Sequence, residues 1–88
     1  FIVCAGGHSR RLDFPGAEFA LRPADLWKQK RLPASVLIVG ASATGCQLAT
    51  LFHTFGSTVT LVETADRLLP TEDETVSQAV QEGFTQRG

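Results

Sequence analysis

The sequence predicts an α/β fold, one half of a doubly wound parallel sheet, from three observations. A short, wholly apolar run, VLIV at 36–39, stops at Gly40. Apolar residues then recur at helical spacing through Leu48, Leu51, Phe52 and Phe55, up to Gly56. A second β-rich run, STVTLVE at 57–63, follows at once. Strand, helix and strand in that order make a βαβ unit, whose crossover is right-handed in nearly all proteins.

FIVCAGG at 1–7 opens with a β-favouring run that meets Gly6 and Gly7, which predicts a strand ending in a tight turn. Residues 8–22 carry scattered charges and the Pro15–Gly16 turn pair without a sustained period, and read as a connector. PADLWKQKR at 23–31 predicts a short helix with Pro23 at its start and Pro33 beyond its end. Trp27 is expected to pin that segment to an apolar surface. The continuous run VLIV predicts a strand buried on both faces. A helix from Ala43 to Phe55 should close at Gly56 in the left-handed C′ position. Past the second strand, Thr71 and Glu74 have capping-box spacing, with Glu72, Asp73 and Glu74 in the first turn where the helix dipole favours anions. Val76, Ala79, Val80 and Phe84 should form the buried face of that helix, and Gly88 its stop.

Composition narrows the class of function. The 88 residues are 43% hydrophobic and 19% charged with a net charge of −1, ordinary for a globular protein and without a basic field for nucleic acid or anionic lipid. A domain this small buries only roughly 60–65% of its unfolded surface and is marginal alone. Charge is uneven: residues 1–35 hold six Lys/Arg against three Asp/Glu, and residues 36–88 two against six. Cys4 and Cys46 lie 42 positions apart in apolar settings, with no metal-ligand spacing, and read as buried thiols in a reducing, cytoplasmic setting. His8 and His53 form no ligand pair; an exposed loop and a helix end are their simplest places. No apolar run approaches the ~20 residues of a membrane span. The sequence opens inside a strand-like run, so a segment of a longer protein is expected.

The chemistry concentrates at the turn after VLIV. Gly40, Ser42 and Gly45 occupy the glycine positions of a G-x-G-x-x-G dinucleotide turn, where a strand feeds a helix whose first amides point at a pyrophosphate. Gly40 permits the sharp turn and Gly45 lets helix and strand approach. Ser42 either crowds the phosphate or donates its hydroxyl to it. Glu63 stands 23 positions after Gly40 at the end of the second strand, where a carboxylate accepts the adenosine ribose hydroxyls and repels a 2′-phosphate. NAD is therefore expected over NADP, although Arg67 nearby can tolerate that phosphate. An ordinary strand–turn–helix junction, with Glu63 a surface charge, is the alternative.

These pieces, FIVCAGG, PGAE, LPASVLIVGASATGCQLA, GSTVTLVE and ADRLLPTEDE, come in an order and spacing that resembles the pyridine nucleotide–disulfide oxidoreductases. The likeness covers essentially the whole chain. It implies a flavoprotein with two dinucleotide-binding domains. Residues 1–22 then end the FAD-binding domain, 23–34 form a linker helix, and 35–88 form the first half of a Rossmann-like NAD(P)-binding domain. The resemblance places Ala5, Gly6 and Gly7 against FAD, and Gly40, Ala41, Ser42, Ala43, Thr44, Gly45 and Gln47 around NAD, with Glu63 on its ribose. Three positions depart from the family: Ala5 for threonine, Ser42 for glycine and Gln47 for glutamate. Ala43 stands where some members carry a bulky gate. The family's remaining parts, including its redox cysteine pair, fall outside these residues, so the fragment alone is not expected to be catalytic. The implied parent is a homodimer passing hydride from NAD(P)H to FAD and on to a disulfide or other acceptor. A non-catalytic nucleotide-binding or redox-sensing module of the same fold is the alternative that Ala5, Ser42 and Gln47 suggest.

Overall fold

A computed structural model describes residues 1–88, and the chain divides into two units, Phe1–Arg31 and Leu32–Gly88. In the first unit residues 1–12 have no regular structure, and the strand expected over FIVC does not form. An extended run becomes a strand only when a neighbour takes up its amides and carbonyls, and the one ladder in the molecule joins residues 35–39 to 58–62. Cys4 is accordingly exposed rather than buried. The Pro15–Gly16 turn does form: the Ala17 amide donates to the Phe14 carbonyl at 3.0 Å, with Gly16 at φ 92°. The predicted helix after Pro23 is a short 3-10 segment, Pro23–Lys28, held by Asp25, which accepts from Arg22 Nε at 3.1 Å and Lys28 Nζ at 2.9 Å. Trp27 pins nothing: it is 91% exposed.

The second unit holds the βαβ unit and one further helix. Strands β1 (Ser35–Val39) and β2 (Thr58–Val62) pair in parallel, in register from Ser35 with Thr58 to Val39 with Val62. Helix α1 (Ala43–Thr54) joins them, and α2 (Glu74–Arg87) follows after a loop. This is the Rossmann-like half-sheet that the sequence predicts. The close of α1 also matches expectation. Gly56, at φ 96°, donates to the His53 carbonyl at 2.9 Å and Ser57 to the Phe52 carbonyl at 3.0 Å, which completes a Schellman motif. None of the helices is long and apolar enough to cross a membrane.

The structure departs from expectation in the sheet, in both helices and at the cap of α2. The sheet is covered on one face only: Val36, Ile38, Val59 and Leu61 turn toward the helices, whereas Leu37, Val39 and Val62 are exposed. Both helices lie on the same face, so the continuous apolar run of β1 has its odd members uncovered. The buried side of α1 is Gly45, Cys46 and Ala49, not Leu51 and Phe55, which are exposed. Small residues win because this helix sits close on the strands. On α2, Ser77 is 1% exposed while Val76 and Ala79 face outward; Val80 and Phe84 pack as expected. The helix begins at Glu74, capped by Asp73, whose Oδ1 accepts the Thr75 amide at 2.8 Å, so the Thr71–Glu74 capping box is not used. Asp73 wins as cap because Glu72 and Thr71 are still occupied in the turn before it, where the Glu72 amide donates to the Leu69 carbonyl.

Ser77 joins the helix to the loop in front of it. Its hydroxyl donates to the Leu69 carbonyl at 3.2 Å, inside a contact that excludes water. Ser77→Ala leaves that carbonyl with the Glu72 amide alone, and a loss of about 1 kcal/mol is expected in urea unfolding. A cost below a few tenths would show that the hydroxyl is dispensable.

Candidate dinucleotide site

The turn from β1 to α1 is shaped by its two glycines. Gly40 takes φ 102°, a left-handed conformation that a side chain would strain. Its amide donates to the Val62 carbonyl at 2.8 Å, which carries the ladder one residue past β1. Gly45 sits so close to this bend that a Cβ there would overlap the Gly40 carbonyl oxygen and lie 2.9 Å from its carbon. Helix α1 therefore starts against the strand end. The amides of Ala43, Thr44 and Gly45 have no partner within the protein, and the first helical bond is Cys46 to the Ser42 carbonyl at 2.9 Å. Ser42 is the N-cap, yet its side chain makes no capping bond and is exposed. Its hydroxyl neither fills the turn nor serves the helix.

Glu63 reaches this turn from the end of β2. Its Oε2 accepts the Ala41 amide at 2.7 Å, and its Oε1 accepts the amides of Thr64 at 2.7 Å and Ala65 at 3.0 Å. These donors stabilise the carboxylate, Ala41 first, and hold its pKa down at about 2 from an ordinary 4.5. Glu63 is therefore ionised at every physiological pH. Half-buried, it ties the end of β2 to the turn that follows β1.

Behind the turn lies a small core of Ala41, Cys46 and Leu69, with Leu61, Leu68, Val80 and Phe84 packed on it. The Cys46 thiol is buried there and points at the Ala41 carbonyl at 3.5 Å. Burial, and then the Glu63 charge, push its pKa up and disfavour the thiolate, and the thiol is buried as expected. Leu69 was not singled out by the sequence, yet it is the one non-glycine residue at positive φ, 47°. Its amide donates to the Ala41 carbonyl at 2.8 Å, and its own carbonyl takes the Glu72 amide at 2.9 Å and the Ser77 hydroxyl. That conformation costs about 1–2 kcal/mol in an L-residue and persists because these bonds and the buried side chain fix it. Arg67 makes no ion pair with Glu63 and donates to the carbonyls of Pro70 at 3.2 Å and Glu72 at 3.1 Å.

The structure thus brings Gly40, Ala41, Ser42, Ala43, Thr44, Gly45 and Glu63 to one place. Gln47 is exposed on the second turn of α1. Ala5, Gly6 and Gly7 belong to the other unit, where all three are exposed and Gly6 takes φ 78°. His8 is exposed in the irregular first segment. His53 is exposed in the last turn of α1, where it borders a cavity of about 60 Å³ with Val59, Phe84 and Arg87. No three His, Cys, Asp or Glu side chains gather as they would around a metal ion.

A strand-to-helix turn with open amides, a helix seated on a glycine and a carboxylate at the next strand end define a dinucleotide-binding class of half-domain. Comparison with known proteins makes the assignment specific. A model of the family described as pyridine nucleotide-disulphide oxidoreductase matches residues 1–88, and the chain belongs to that family. It is 37% identical over 89 residues to a dihydrolipoyl dehydrogenase of Bacillus subtilis (strain 168), covering 99% of this chain and 19% of that protein. It is 31% identical over 90 residues to a mercuric reductase of Bacillus cereus, covering 100% of this chain and 14% of the relative. A glutathione reductase of Nostoc sp. is 28% identical over 87 residues, again covering 99% of this chain and 19% of the relative. The chain spans about a fifth of the length of these relatives, or less.

Proposed function

We propose that residues 35–88 hold the adenosine–pyrophosphate half of NAD within an FAD-dependent NAD(P)H oxidoreductase, a homodimeric cytoplasmic flavoenzyme. The observation that carries this reading is the Glu63 carboxylate, fixed 2.7 Å from the Ala41 amide beside a helix start whose next three amides are open. The open amides of Ala43, Thr44 and Gly45 supply donors and partial positive charge to a pyrophosphate. Gly45, lacking a Cβ, keeps them close to the strand end. Glu63 Oε1 is filled by the Thr64 amide and hydroxyl and the Ala65 amide, but Oε2 holds only the Ala41 amide, so a ribose hydroxyl can be accepted there while the amides stay bound. The same negative charge disfavours a 2′-phosphate, and Arg67, engaged with loop carbonyls, does not offset it. Ala5, Gly6 and Gly7 take the FAD-facing role in this reading. NAD(P)H and FAD, once bound, supply the hydride and electron chemistry, and the protein supplies position and electrostatics.

The experiment is a titration of the intact protein with NADH and NADPH while its flavin absorbance is followed. Bleaching, with tighter binding of NADH, is expected. A purified protein that retains no flavin would sink the enzyme reading, and flavin that never bleaches would leave a sensing module in its place. Ser42→Gly addresses the substituted glycine. Since the hydroxyl caps nothing, stability should change by no more than about 0.5 kcal/mol, and NADH should bind equally well or more tightly. A marked loss of affinity would show that the hydroxyl holds the phosphate.

A further inference from the structure

We infer that Leu69 is a positioning residue for the dinucleotide turn: its left-handed backbone holds the Ala41 peptide in place before any cofactor arrives. The inference rests on the reading of Gly40–Gly45 as the pyrophosphate turn. Ala41 is fully buried at the centre of that turn, and both of its polar backbone groups are taken. Its amide goes to Glu63 Oε2, and its carbonyl receives the Leu69 amide at 2.8 Å together with the Cys46 thiol. From Leu69 the chain of bonds runs on through its own carbonyl to Ser77 of α2. The end of β2, the turn, the 64–72 loop and α2 are therefore joined through one peptide.

The link depends on φ 47° at Leu69. In the ordinary β or right-handed region the amide of residue 69 would turn away from Ala41, and the turn would lose its only backbone tether to the loop. Leu69 is not itself among the residues placed around the cofactor; it acts through Ala41, to which it is bonded and against which it packs. A turn held in this way needs no rearrangement when a phosphate docks, whereas a released turn binds only in the fraction of molecules that happen to be arranged.

Three substitutions separate this role from simple packing, with the Kd for NAD+ of the intact, folded protein as readout. Leu69→Val keeps an apolar side chain but opposes positive φ, and about tenfold weaker binding is expected. Leu69→Gly loses the side chain but adopts φ 47° freely, so its Kd should stay within about twofold of the unmodified protein even as thermal stability falls. Leu69→Ala loses the same buried side chain while disfavouring the left-handed region, and should bind at least about threefold more weakly than Leu69→Gly. That pair carries the test alone if the valine variant does not fold. Packing alone would leave the Kd of every folded variant unchanged, and equal values across alanine, glycine and valine overturn the inference. If the unmodified protein binds neither NAD+ nor NADP+, the reading of the turn falls and takes the role of Leu69 with it.

Discussion

Gly45→Ala is expected to destabilise the intact protein by about 2–4 kcal/mol and to weaken NADH binding in parallel. The added methyl would overlap the Gly40 carbonyl oxygen, which is backbone and cannot rotate aside. Relief would require either moving α1 off β1 or changing the bend at Gly40. The first uncovers Cys46 and Ala49, the buried side of the helix, and carries the open amides away from the strand end. The second works against φ 102° and the bond from Gly40 to Val62. Urea unfolding with NADH titration gives both readouts, and an alanine variant with near-normal midpoint and affinity would refute the close approach. Gly83 provides the control. A Cβ there meets nothing within 4 Å, so Gly83→Ala should be tolerated and gain helix propensity.

The second large effect is at Glu63. Glu63→Gln keeps one acceptor oxygen for amides that now share two, and would replace the proposed charge-assisted contact to the ribose by a neutral one. Roughly 10- to 100-fold weaker NADH binding is expected. Glu63→Arg removes every acceptor and should cost more stability, but among folded molecules it should shift preference toward NADPH. Unchanged selectivity would remove Glu63 from the cofactor's ribose. The acid limb offers an independent check. The pKa of Glu63 is lower in the folded than in the unfolded protein, so its stabilisation is complete above about pH 4.5 and is lost as pH falls toward 2. Asp25 and Asp73 are also depressed, Asp25 chiefly by Lys28 and then Arg22, and Asp73 by the Thr75 amide. All three carboxylates steepen acid unfolding, so the Glu63 share is the slope that Glu63→Gln removes.

Much of this was legible in the sequence because it depends on local rules. A run of β-formers meeting Gly40, a helical spacing ending at Gly56 and a second β run dictate the βαβ unit, and the carboxylate at Glu63 follows from its spacing. What escaped depends on long-range neighbours. Leu51 and Phe55 have the right period for a buried face, but the glycine-seated approach of α1 selects small residues, Gly45, Cys46 and Ala49, for the contact. FIVC has strand composition, and composition cannot provide a strand to pair with. Asp73 displaced Thr71 as cap because the 64–72 loop ends in a turn around Leu69 that local spacing does not reveal. Leu69 itself carries no sequence signal, since leucine is among the last residues to suggest positive φ.

The uncovered face of the two-stranded sheet has a consequence for handling the molecule. Leu37, 62% exposed, stands with Val39 and Val62 in a greasy stripe on strands that each still have one edge unpaired. Such a surface is adhesive: it offers dangling amides and carbonyls to any extended chain, and an apolar bed for that chain to settle on. Preparations of these residues by themselves should precipitate or form mixed aggregates as concentration rises. Leu37→Lys, on the open face and away from the Gly40–Gly45 turn, is the simplest solubilising change.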